Sequence, residues 1–160
     1  MHRILRISLL MSLLLVASAV YATDKPLSKN AFILPISAGP DLLKQCSRDT
    51  PQNVSEFWTP TAEQIDALER RIDDFFTSWR PPERRGTPPG KLARYHRQYV
   101  GIVVNGKRLI YGNFYDLDYD PANNEAQKPV IICDGGPYMF GLEYDPDQRK
   151  IVDAQVNGAI

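Results

Sequence analysis

Cys133-Asp134-Gly135-Gly136 is the one stretch of this 160-residue chain built like a reactive centre. A cysteine ending an apolar run, with glycine amides beside it to face an oxyanion, suits a nucleophile that has a base within reach. His96 is the only histidine beyond residue 2, so a Cys133/His96 pair is the one catalytic pairing available, fit for a hydrolase or a transferase. The same segment also reads as half of a disulfide followed by a tight turn. Cys46 and Cys133 are the only cysteines. In an oxidising compartment such a pair is most simply bridged, and a bridged sulfur is no nucleophile. The expectation is a Cys46–Cys133 disulfide and no catalytic residue. The bridge requires Cα atoms about 4.4–6.8 Å apart. In the chain-entropy model it stabilises the fold by roughly 4 kcal/mol.

Asp116-Leu117-Asp118-Tyr119-Asp120 starts like a calcium loop. That pattern demands glycine at its sixth position and a bidentate glutamate at its twelfth, where this chain has Pro121 and Gln127. A non-standard site would draw on Asp116, Asp118, Asp120 and Glu125, which leaves a calcium-dependent envelope module as an alternative. A zinc site fails for want of nitrogen and sulfur ligands. No HExxH, CxxC, GxSxG or Walker loop occurs, and neither a metal nor a cofactor is expected.

Residues 1–22 read as an export signal. Arg3 and Arg6 lead an apolar run from Ile7 to Val16 that is too short to span a bilayer comfortably, and small residues end at Ala22. The expected product is periplasmic or extracellular, begins near Thr23, and keeps no stable membrane insertion. It retains 17 bases against 19 acids. Residues 23–160 make one α+β domain.

Positioning falls to a few elements. Residues 23–58 form an N-terminal segment, with residues 31–36 as an edge strand and a loop up to Ser55. Asn53-Val54-Ser55 fits a glycosylation sequon. Residues 59–80 carry a helix, capped either by Thr59 with Pro60 at the first helical position or by Thr61 with Gln64 closing a capping box. Ile65, Leu68, Ile72, Phe75, Phe76 and Trp79 form its apolar stripe. Residues 81–93 are a Pro/Gly-rich loop. Residues 94–160 hold the sheet, a four- to five-stranded antiparallel meander. Asn105-Gly106 sets a two-residue hairpin that pairs Val104 with Lys107, Ile102 with Leu109 and Val100 with Tyr111. Residues 130–133, 138–144 and 151–156 supply the other strands.

This register puts Val100, Ile102, Leu109 and Tyr111 on one face, the expected seat of the helix stripe. The opposite face carries Tyr99, Val103, Ile110 and Phe114, with Arg108 at its margin. It is too apolar for a face meant only for water and is the expected binding surface. Charge is uneven along the chain. Arg80, Arg84, Arg85, Lys91, Arg94 and Arg97 face a single acid, Glu83, whereas nine acids between residues 116 and 153 face three bases. A basic strip on an exported chain points to an anionic envelope polymer or an acidic protein rather than nucleic acid.

The helix-then-meander layout resembles the cystatin-like class, in which a sheet wraps one helix. Gln98-Tyr99-Val100-Gly101 is similar to that class's Gln-x-Val-x-Gly motif, but one residue short and within a strand, so no inhibitory residue carries over. Cys133-Asp134-Gly135-Gly136 and residues 140–146 also resemble small exported bacterial proteins with no assigned activity. The resemblance implies location and fold, and no reaction. The expected function is an exported, non-enzymatic binding protein for an envelope or secreted macromolecule, with inhibition or immunity as one form.

Overall fold

The computed structural model describes residues 26–80, 86–119 and 124–158. The expected signal, residues 1–22, lies outside the described residues. Among the described residues the fold is α+β, with two α-helices and one six-stranded sheet. The strands are β1 (Ala31–Ile33), β2 (Val54–Trp58), β3 (Tyr95–Val104), β4 (Lys107–Asp116), β5 (Met139–Asp145) and β6 (Lys150–Val156). The helices are α1 (Gly39–Leu42) and α2 (Ala62–Ser78).

β3 to β6 form an antiparallel meander. The Asn105-Gly106 turn gives the expected register, with Val104 opposite Lys107 and Val100 opposite Tyr111. Both turn residues adopt positive φ, which these two types tolerate at low cost. The sheet exceeds the expected meander on the far side of β3, and two short strands share that edge. β1 pairs in parallel with Arg97–Tyr99, and β2 pairs antiparallel with Gly101–Val104. A ten-residue strand leaves room for both end to end. Residues 130–133 form no strand, contrary to expectation.

Of the two expected caps for α2, the structure takes the Thr61–Gln64 box. Gln64 N donates to Thr61 Oγ1 and Thr61 N donates to Gln64 Oε1. Its stripe of Ile65, Leu68 and Ile72 is buried against Tyr99, Ile110, Phe114, Phe140 and Leu142. The helix thus seats on the face opposite to the expected one. Part of the reason is polar. Glu69, on α2, accepts from Tyr99 Oη at 2.9 Å and lies 3.1 Å from Arg97 Nε, and Arg97 also donates to Ser28 Oγ. These partners lie on the same face as Tyr99, because residues two apart on a strand share a face.

Val100, Ile102, Leu109 and Tyr111 instead pack with Leu34, Ala38 and Leu42, a second core under the N-terminal segment. Both sheet faces are therefore covered. Polar side chains anchor the second cover. Arg48, 7% exposed, donates to Tyr111 Oη, Asn113 Oδ1 and Asn157 Oδ1. Gln98 Oε1 accepts from Val130 N, and Val130 O accepts from Gln45 Nε2 and Asn113 Nδ2. Asn157 Nδ2 donates to the carbonyls of Ile132 and Asp134. Side chains thus satisfy a backbone that a strand would have paired. Gly141 makes the space. A β-carbon there would fall 2.6 Å from Tyr111 Oη and 2.8 Å from Arg48 Nε, closer than side chains pack.

Candidate functional site

The sulfur of the expected reactive segment is not free. Cys133 is bonded to Cys46 with Cα atoms 5.0 Å apart, inside bridging range. The bridge clips residues 42–48 to residues 130–134, the two covers of the Tyr111 face. It fits the exported reading, since disulfides persist in oxidising compartments. Among the described residues no helix is long and apolar enough to cross a membrane.

His96 stacks on Tyr115 at 5.1 Å. Its Nδ1 lies 2.8 Å from Glu125 Oε2, close enough for an ion pair but without hydrogen-bond alignment. Tyr115 Oη donates to the same carboxylate oxygen at 2.6 Å. Burial and that neighbouring carboxylate push the Tyr115 phenol well up. With Cys133 bridged, His96 has no thiol to activate. The His96–Glu125–Tyr115 cluster instead fixes residues 124–128 to the sheet, helped by Gln98 Nε2 donating to the carbonyls of Glu125 and Lys128.

The acidic loop is occupied from within the chain. Arg94 Nε donates to Asp116 Oδ2 at 2.6 Å, and its Nη2 reaches Asp118 Oδ2 at 3.4 Å. A guanidinium stands where a cation would have to bind. Glu125 serves His96 and Tyr115, and Asp120 lies outside the described residues. Among the described residues no three His, Cys, Asp or Glu side chains converge to hold a metal ion.

The expected binding face is also closed. Tyr99, Ile110 and Phe114 are fully buried beneath α2. Val103 is half-buried, and exposed Arg108 lies 3.9 Å over the Trp58 ring. That indole sits against Gly101, where a β-carbon would come within 2.3 Å of the ring. Two cations of the Arg80–Arg97 strip are engaged within the chain. Arg94 and Arg97 are engaged by Asp116 and Glu69, and Arg84 and Arg85 lie outside the described residues.

Among the described residues a further cationic surface stands out, and the sequence reading missed it. A groove of about 520 Å³ runs between α2 and the β5–β6 turn, lined by Arg71, Asp74, Phe75, Arg149, Lys150 and Ile151. The three cations are solvent-exposed, and none is ion-paired to a described residue, whereas the neighbouring Arg70 is paired to Asp66. Phe75 and Ile151 give the groove an apolar floor. Phe75 is braced by Phe76 and Trp79, with ring centroids at 5.2 and 6.0 Å. Asp145 shapes the turn, its Oδ1 accepting from the amides of Asp147 and Gln148. Arg149 follows at φ 52°, a left-handed conformation that bulky residues seldom adopt. Such a groove can hold an anionic ligand and desolvate an apolar group beside it.

Comparison of the chain with family models, curated proteins and solved structures finds no match.

Proposed function

We propose that this chain is an exported, non-enzymatic binding protein that engages a macromolecule outside the cytoplasm through the groove between α2 and the β5–β6 turn. The observation that carries the reading is a groove with an apolar floor lined by three exposed cations, Arg71, Arg149 and Lys150, none ion-paired to a described residue. Arg94 and Arg97, by contrast, are held by Asp116 and Glu69. The bridged state of Cys133 supports the non-enzymatic side of the reading. The order of α2 followed by the β3–β6 meander supports the cystatin-like layout. Inhibition or immunity against a secreted enzyme remains one form the binding takes.

The test compares mature protein with an Arg71→Glu/Lys150→Glu variant as bait in extract from the native compartment. A partner held by the first and lost by the second, with both melting alike, supports the reading. Equal capture by both overturns the groove as the binding surface.

A further inference from the structure

The groove's chemistry narrows its ligand, on the premise that it is the binding site. Three positive side chains and one negative, Asp74, line it, so a neutral ligand leaves the cations uncompensated. A bare inorganic polyanion would compensate them but leave Phe75 and Ile151 without an apolar partner. A ligand that uses both features carries negative charge together with an apolar group. An extended peptide does this directly. Alternate residues point the same way about 6.6 Å apart, and the residues between them point to the other face.

The turn adds a second, independent observation. Arg149 holds a backbone conformation that favours glycine or asparagine. A glycine there would fold the turn at lower cost, yet an arginine stands there, with its side chain on the groove. Strained positions of this kind concentrate at binding sites, where the surrounding structure over-determines them. Here Asp145 fixes the two residues that precede Arg149 in the turn, through the amides of Asp147 and Gln148.

We propose that the groove binds an acidic segment of a partner protein, seating one aromatic or aliphatic side chain on Phe75 and Ile151 and the flanking carboxylates on Arg71, Arg149 and Lys150. Binding is salt-sensitive, because all three cations are exposed and screened at high ionic strength.

The test uses fluorescein-labelled Glu-Asp-Phe-Asp-Glu on the mature protein, read by fluorescence anisotropy. Its comparisons are the same peptide with serine for phenylalanine, a Lys-Lys-Phe-Lys-Lys peptide, and inorganic polyphosphate as competitor. The acidic aromatic peptide should bind, the serine version should bind roughly fivefold or more weakly, and the basic peptide should not bind. Arg149→Gly is the decisive variant, because it removes the guanidinium while easing the backbone. It should keep or raise the melting temperature and weaken peptide binding by roughly fivefold or more. Equal binding of the serine peptide, or polyphosphate binding with no peptide binding, overturns the acidic-segment assignment and leaves the groove as an anion site. Peptide binding unchanged by both Arg149→Gly and Arg71→Gln overturns the groove itself, and the proposed function with it. Binding by neither the acidic aromatic peptide nor polyphosphate overturns the proposal.

Discussion

Arg48 Nη1 donates to Asn157 Oδ1, joining the N-terminal cover to the end of the last strand across 109 positions of sequence. Asn157 in turn donates to the carbonyls of Ile132 and Asp134 beside the bridged Cys133. One buried guanidinium thus organises both segments that cover the Tyr111 face.

Arg48→Met should therefore destabilise the protein by about 3 kcal/mol, because it leaves the Asn113 and Asn157 acceptors buried without donors. Arg48→Lys should recover only part of the loss, since one ammonium cannot span the same three partners. Urea unfolding of the three proteins checks this. An Arg48→Met variant as stable as the parent would show that the network adds nothing net.

Opening the disulfide should act on the same region. Cys46→Ser/Cys133→Ser should lower stability by roughly 2–4 kcal/mol. Amide exchange should quicken first at residues 42–48 and 130–134, with the β3–β5 centre losing protection later. Uniform loss of protection would instead mean that the covers and the sheet open as one unit.

What the sequence revealed was local. The Asn105-Gly106 register and the Thr61–Gln64 box each depend on residues within a few positions, and both are present. The face that α2 covers was not readable. Both faces of the β3–β4 hairpin are buried, so alternation marks neither as outward, and the choice rests on Glu69 meeting Tyr99 and Arg97 about 30 residues away. Residues 130–133 looked like a strand because their apolar run fits one. Gln98, Asn113 and Asn157, from three other places in the chain, take their hydrogen bonds instead. The groove escaped notice for the same reason. Arg71 sits among the polar residues of a helix, and Arg149 and Lys150 sit in an acidic stretch far along the chain.

The buried Tyr99 face gives a direct check. Ile110 is fully buried beneath α2, so Ile110→Lys places an unpaired charge in the main core and should unfold the protein. Arg108→Ala, on the same face but exposed over Trp58, should cost only about 0.5–1 kcal/mol. Circular dichroism and thermal melting separate the two. A folded Ile110→Lys protein would mean that α2 does not seal this face.

Glu143 sets an expected pH dependence. It lies on β5 directly opposite Asp153 of β6, at the margin of the Tyr111 face. Burial, and then the charge of Asp153, push its carboxyl from the ordinary 4.5 up to about 7. The folded state therefore holds a proton over that interval which the unfolded state releases. The sign follows from this: the relative stability is full below about pH 4.5 and is lost as pH rises through about 7. Glu143→Gln removes the titrating group and should flatten that part of the profile. Water reaches this half-buried carboxylate and screens it, so the gain at about pH 8 should be on the order of 1 kcal/mol rather than the full value of the shift. Asp153→Asn should give a smaller change of the same sign, because it removes the repulsion and leaves the desolvation. Urea unfolding at about pH 5 and about pH 8 reads the difference. Parallel profiles for the parent and Glu143→Gln would show that this carboxyl titrates alike in the folded and unfolded chains.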